Sequence, residues 1–240
     1  MDNRSSQFRP LYTQVYESLL KRIVEGEWRP GVALPSEQAL ANEMGVSQGT
    51  IRRALDALEL EKLIDRRQGK GTFVAELTQE LSVYRFFRLT RPDGRRTIPS
   101  SGDEILTRRA AQPPEEVALS LEPGTEVFEI LRTRFIDGIP IVIERTVVPA
   151  HVFPHLETHS PLPNSLFALY QSEFGVNVVS TDERLRADQA TAQDAERLGV
   201  RLGAPLLEIE RVAVTVTGTR VEWRLSRCNT ELCRYGVTLT

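Results

Sequence analysis

Arg52, Arg53, Arg66, Arg67 and Lys70 crowd into one short stretch of a 240-residue chain whose formal net charge is −3. Acidic residues such as Glu115, Glu116, Asp182, Glu183, Asp194 and Glu196 fill the later two thirds. A local basic face on an otherwise acidic protein can hold a polyanion while disfavouring contact elsewhere. The chemistry on offer is recognition of a nucleic-acid duplex. Ser47, Gln48, Gly49 and Thr50 would open a helix, where backbone amides accommodate a phosphate. Arg52, one turn further in, could pair with O6 and N7 of guanine, worth ~1–3 kcal/mol of discrimination. Gln48 offers an amide able to pair with adenine. Arg53, Arg66, Arg67 and Lys70 suit phosphates or the minor groove. The same cations have a plainer reading, with Arg52 and Arg53 as solvated helix surface and Arg66 and Arg67 as partners of Asp65 or Glu61.

A second constellation lies further on. Arg132 and Arg134 alternate in a run that reads as a strand, so both point to one face and together suit an anion. Ser165 stands near a helix start whose amides could help hold that anion. Glu144 and Glu222 could accept hydrogen bonds from hydroxyls or an amine. Alternatively, the two arginines and the two glutamates pair across the sheet as structural ion pairs. Arg227 is a further candidate anion contact. No nucleophile–base pair stands at recognisable spacing, and no cofactor loop is present; neither catalysis nor a cofactor is expected. His151, His155 and His159 have helical spacing, but Pro154, Pro161 and Pro163 break that segment, so no metal site is expected. Cys228 and Cys233 are too few for a disulfide framework and are expected as reduced thiols.

The elements that would position these groups follow from periodicity. Residues 11–25 carry Leu11, Val15, Leu19 and Ile23 on one helical stripe, which Gly26 ends. Ser36 reads as an N-cap and Gly45 as the left-handed closing residue of a helix bearing Leu40, Ala41 and Met44. Ser47 caps the next helix, to about residue 61, with Ile51, Ala54, Leu55 and Leu58 inward and Arg52 and Arg53 off that stripe. Strands at 63–67 and 72–75 flank Gln68-Gly69-Lys70-Gly71 as a hairpin. Two short helices, a tight turn and a basic hairpin are the layout of a winged helix-turn-helix, which lays one helix in the DNA major groove. Residues 76–101, with the Pro92-Asp93-Gly94 turn, read as a linker. Beyond it, strands dominate: 127–136 and 139–148 flank the hairpin signal Asp137-Gly138, and 176–185, 206–216 and 220–227 follow. Short helices at 114–119, 163–174 and 191–198 interrupt them. An antiparallel sheet carrying helices makes this an α+β domain. No apolar run approaches the ~20 residues of a membrane helix, and residues 1–10 have no apolar stretch to serve as a signal peptide. A cytoplasmic protein without membrane association is expected.

Residues 10–75 resemble the winged-helix domain of the GntR family of bacterial transcription regulators. The resemblance rests on PLYTQV, IVEGEWRPGVALPSE, LANEMGVSQGTIRRAL and LEKLIDRRQGKGTFV. Such regulators usually carry an arginine after Pro-Ser-Glu and another at the start of the recognition helix; here those places hold Gln38 and Gln48. The implied DNA face comprises Ser36, Gln38, Ser47, Gln48, Gly49, Thr50, Arg52 and Arg53, with Arg66, Arg67, Gln68, Gly69 and Lys70 on the wing. The remainder resembles the UTRA effector-binding domain of the HutC-type branch, which has a chorismate-lyase-like fold. Matching pieces are Gly124-Thr125-Glu126-Val127, Leu131-Arg132-Thr133-Arg134, Asp137-Gly138-Ile139-Pro140, Asn164-Ser165-Leu166-Phe167, Gly203-Ala204-Pro205-Leu206-Leu207 and Gly218-Thr219-Arg220-Val221-Glu222-Trp223. By resemblance, Arg132, Arg134, Glu144, Ser165, Phe167 and Glu222 line an effector pocket, Phe167 standing where a hydroxylated aromatic often occurs. The resemblance implies a homodimeric repressor that binds double-stranded operator DNA and a small anionic metabolite. The implied division is a DNA-binding domain at 1–75, a linker at 76–101 and an effector domain at 102–240.

Overall fold

The computed structural model describes residues 10–237. The chain divides into two compact units, Met1–Glu76 and Leu77–Thr240.

The first unit contains α1 (Leu11–Val24), α2 (Glu37–Met44), α3 (Gln48–Leu60) and the hairpin β1 (Ile64–Arg67) and β2 (Gly71–Val74). Val15, Leu19 and Ile23 of α1 are buried, as are Ile51, Ala54, Leu55 and Leu58 of α3, and the two helices pack together. Leu11 heads the stripe but stands exposed at the helix start. Both expected caps form: Ser36 Oγ accepts from the Ala39 amide at 3.2 Å, and Ser47 Oγ from the Thr50 amide at 3.2 Å. Each such cap is worth about 1 kcal/mol. Gly45, at φ +64, lets the chain turn from α2 into α3, a conformation that burdens any residue with a Cβ. The wing pairs antiparallel from Ile64 opposite Val74 to Arg67 opposite Gly71.

The second unit runs α4 (Gln79–Phe86), β3 (Leu89–Thr90), β4 (Ser100–Ala110), α5 (Pro113–Leu119), β5 (Glu126–Ile136), β6 (Ile139–Pro149), a 3-10 turn (Leu156–His159), α6 (Leu166–Phe174), β7 (Val178–Gln189), α7 (Ala192–Leu198), β8 (Pro205–Thr215), β9 (Arg220–Cys228) and β10 (Arg234–Tyr235). Its antiparallel sheet of six strands has the order β4-β5-β6-β9-β8-β7. The β5–β6 turn has Asp137 at φ +52 and Gly138 at φ +77, the pair of left-handed residues that matches strand twist. Alternation along β6 separates two cores. Val148 packs with Phe128, Phe153, Phe167 and Tyr170 beneath α6. Ile143 and Val147 face the other way, toward Leu198 of α7 and Leu119 of α5. The sheet is thus covered by helices on both faces, which is an α+β domain as the strand pattern implied.

The expected linker at 76–101 is corrected by this arrangement. Residues 79–86 form α4, capped by Thr78, and α4 packs against α6. Leu89 and Thr90 pair with Tyr235 and Arg234, and β4 starts at Ser100. Buried Val83, Phe86 and Leu89 explain why the segment folds with the second unit. The helix expected from residue 163 begins at Leu166, because Ser165 is its cap.

Candidate functional sites

On the first unit the residues expected on the DNA face lie at α2, at α3 and on the wing hairpin. Gln48 and Gly49 are exposed in the first turn of α3, with Thr50 half-buried beside them. Gln48 Nε2 donates to Gln38 Oε1 at 2.6 Å, and Gln38 Nε2 donates to Asn42 Oδ1 at 2.9 Å. Arg52 donates twice to Glu37 Oε2, from Nε at 3.1 Å and Nη2 at 2.8 Å. Arg53 and Lys70 are exposed. The pairing of Arg66 and Arg67 with Asp65 or Glu61 does not occur. Arg66 instead reaches back to α3, to Asp56 at 2.6 Å and Glu59 at 3.1 Å. Arg67 lies over the Phe73 ring at 4.3 Å, and Glu61 accepts from the Tyr16 hydroxyl at 2.7 Å. These exposed pairs are weak, so their arginines remain available to a phosphate.

In the second unit the candidate pocket lies between α4, the start of α6 and the inner face of the sheet. Arg134, Glu144, Ser165 and Phe167 line it, joined by Arg211 and Arg224. Arg132 and Glu222 are not on the lining but directly behind it, at 1% and 0% exposure. Arg134 Nη1 donates to the Asn164 carbonyl at 3.0 Å and to Ser101 Oγ at 3.2 Å. Arg132 Nη1 donates to the Pro163 carbonyl at 2.9 Å. The ion-pair alternative is realised only loosely for these two, with Glu144 Oε2 3.9 Å from Arg132 and 3.8 Å from Arg134. Arg224 takes the closer places, 3.3 Å from Glu144 and 2.9 Å from Glu222. Glu222 also accepts from the Tyr170 hydroxyl at 2.8 Å.

Two features of this cluster bear on chemistry. Arg132, Arg134 and Arg224 share Glu144 and Glu222, leaving a buried excess of positive charge, since Arg211 has its own partner, Glu183, at 2.5 Å. In addition, the Nε atoms of Arg132, Arg134 and Arg224 and Oε2 of Glu144 are buried without a hydrogen-bond partner. Unsatisfied buried polar atoms of this kind are uncommon and each calls for a partner. Burial opposes the charge on Arg134 and brings its pKa down to about 10. Burial would raise the Glu144 carboxyl, but Arg224, Arg134 and Arg132 outweigh it and hold it down at about 2.

Ser165 is engaged differently from the expectation. Its amide donates to Gln79 Oε1 at 2.6 Å, and its carbonyl accepts from Gln79 Nε2 at 3.3 Å. Its hydroxyl caps α6 and bonds the hydroxyl of Ser82. Phe86 of α4 meets Phe167 edge to face at 4.7 Å. Helix α4 thus forms one wall of the pocket, whose open space at the centre is small, about 30 Å³.

Arg224 could have been found in the sequence, since it alternates with Glu222 on one strand. Arg211 could not, because only the β8–β9 register sets it opposite Arg224. Gln79 and Ser82 lie in α4, within the segment that the sequence reads as a linker. Arg227, expected as an anion contact, is held elsewhere, by Asp188 at 2.8 Å, Glu208 at 2.6 Å and Asp194 at 3.0 Å. Among the described residues no cluster of His, Cys, Asp and Glu is arranged to hold a metal, and no helix is long and apolar enough to cross a membrane.

Comparison with known proteins bears on both units. Residues 11–74 match the family described as bacterial regulatory proteins, gntR family, and residues 100–234 match the UTRA domain. The HTH-type transcriptional repressor NagR of Bacillus subtilis is 30% identical, over 89% of this chain and 88% of that protein. The histidine utilization repressor of Pseudomonas putida is 32% identical, over 84% of this chain and 81% of that protein. Among solved structures, the ligand-binding domain of a protein assigned to the GntR-family regulators of Bordetella bronchiseptica is similar at a TM-score of 0.58 and 32% identity. It covers 64% of this chain and 96% of its own.

Proposed function

The chain belongs to the GntR family of bacterial transcriptional regulators, in the HutC-type branch that carries a UTRA domain, and we propose that it is a repressor whose hold on operator DNA is set by a small anionic metabolite. The observation that carries the anionic ligand is the buried excess of guanidinium charge around Glu144, with Nε atoms unpartnered. A buried charge without a partner is costly, and an anion would supply one. Glu144 Oε2 and Asn164 Oδ1 also lack donors, which suits a ligand bearing a hydroxyl or amine beside its acidic group. The names of the similar repressors support the sign of regulation.

In this reading the first unit binds operator DNA through Ser36, Gln38, Ser47, Gln48, Gly49, Thr50, Arg52 and Arg53, and its wing through Arg66, Arg67, Gln68, Gly69 and Lys70. A cytoplasmic homodimer reads an inverted repeat with two such heads. The ligand meets Arg134, Glu144, Ser165 and Phe167, with Arg132 and Glu222 supporting them. The open space at the centre of the pocket is small, about 30 Å³, so in this reading α4 yields as a metabolite enters. Helix α4 begins at Gln79, close after the first unit ends at Glu76; its displacement is the means by which the ligand alters DNA affinity. By linkage, operator DNA weakens the ligand by the factor with which the ligand weakens operator binding. The test is selection of fragments of the source genome by the full-length protein at near-physiological salt. Binding to an inverted repeat is then titrated with metabolites suggested by the adjacent genes. Enrichment of no repeat, or an operator affinity unmoved by every anion that binds the pocket, would overturn the proposal.

A further inference from the structure

We infer that Gln48 reads an adenine in each half-site, with Gln38 as the positioning residue that aims its amide. This deepens the operator-binding reading and rests on it.

Gln48 is the first residue of α3 and is exposed. A free glutamine there has several rotamers and two amide orientations, and would lose conformational entropy on meeting a base. Here the side chain is already committed. Its Nε2 donates to Gln38 Oε1 at 2.6 Å, and Gln38 in turn donates from its own Nε2 to Asn42 Oδ1 at 2.9 Å. Gln38 and Asn42 are four apart on α2, so their contact follows from helix geometry. The relay runs one way: each amide orients the one before it. Nε2 carries two hydrogens, so with one engaged by Gln38, Gln48 can still present the other as a donor together with its Oε1 as an acceptor.

That pattern complements one base. In the major groove adenine shows an acceptor at N7 beside a donor at N6, whereas guanine shows acceptors at both N7 and O6. Guanine would set O6 against Gln48 Oε1, acceptor against acceptor. Thymine shows an acceptor and a methyl group, and cytosine a donor alone. The neighbouring guanidinium that would favour guanine, Arg52, is turned toward α2 by its hydrogen bonds to Glu37.

The experiment uses the full-length protein and its selected inverted repeat. The position read by Gln48 is the one whose base preference Q48A flattens. Adenine is expected there. Replacing that A·T pair by G·C should weaken wild-type binding by about 5- to 150-fold, the factor that corresponds to a lost bidentate contact. Replacing the adenine with 7-deazaadenine, which lacks N7, should weaken the wild type and leave Q48A unaffected. Q38A should lose part of the preference for adenine over guanine. Q38E, which keeps an acceptor for the Gln48 amide, should restore that ratio while lowering affinity for every sequence. Gln38 and Gln48 are exposed, so the melting temperature of the variants should match the wild type. A defined repeat in which Q48A flattens no position, or one where the flattened position is not adenine, overturns this inference and leaves operator recognition standing. Equal adenine preference in Q38A and the wild type removes Gln38 from it. Selection of no repeat overturns both the inference and the reading beneath it.

Discussion

Replacing Glu144 with glutamine tests whether the guanidinium cluster is a ligand site or a set of structural ion pairs. The side chain is 3% exposed and stands 3.3 Å from Arg224, 3.8 Å from Arg134 and 3.9 Å from Arg132. Its carboxyl is held at about 2 against an ordinary 4.5, which corresponds to about 3 kcal/mol of stability at neutral pH. The figure agrees with the roughly 3–5 kcal/mol lost when one partner of a buried pair is removed. For a unit of this size E144Q should melt about 6–12 °C below the wild type. The sign with pH follows from the depressed carboxyl. Its contribution is full above its unfolded value of about 4.5 and is lost as pH falls through about 2. The gap in Tm between the two proteins should therefore narrow in acid. A ligand site makes a further demand. With Glu144 neutralised, inorganic phosphate or sulfate should raise the Tm of E144Q more than that of the wild type, because the anion replaces the lost charge. Melting curves from pH 7 to 3, with and without phosphate at constant ionic strength, read all of this. A gap under 2 °C at neutral pH, or one that does not narrow toward pH 3, refutes the electrostatic reasoning. A narrowing gap with equal stabilisation by phosphate refutes the ligand site and leaves the ion pairs.

Arg134→Met keeps most of the volume and removes the cation, so phosphate or sulfate should no longer raise its Tm, while operator affinity in their absence stays within a few-fold of wild type; equal stabilisation of both proteins would remove Arg134 from the site. Gln79→Ala deletes the two hydrogen bonds to the Ser165 backbone and should cost the second unit about 1–3 kcal/mol. Hydrogen exchange should quicken through residues 79–86 and at the start of α6, and unchanged exchange there would show that Gln79 does not hold the helix down. Burial pushes the Cys233 thiol up to about 11 and the Cys228 thiol well above its ordinary value. Neither should react with iodoacetamide at pH 8 until the protein is unfolded by denaturant, as mass spectrometry can check; rapid native labelling would contradict the burial.

The features the amino-acid order determined by itself are those decided by near neighbours. Ser36 and Ser47 cap their helices, Gly45 turns the chain between them and Asp137-Gly138 turns β5 into β6, because each depends on backbone angles and hydrogen bonds within a few residues. The buried stripes of α1 and α3 and the shared face of Arg132 and Arg134 follow from periods of 3.6 and 2. What the order of residues left open depends on groups far apart in the chain. Helix α4 reads as linker because it is short and polar on one side, and only Ser165 and Phe167, some eighty residues on, make it the cover of a pocket. Strand β4, with its alternating burial and charged run, sits at the sheet edge and carries no apolar signature of its own. Arg66 finds Asp56 and Glu59 rather than Asp65 or Glu61 because the wing folds back on α3. Arg211 faces Arg224 through the register of two strands, and Gln48 meets Gln38 because the turn at Gly45 brings two helices together. Tertiary structure decides these pairings because a polar side chain takes whichever partner the packed backbone sets within 3 Å of it, and chain order alone does not place that partner.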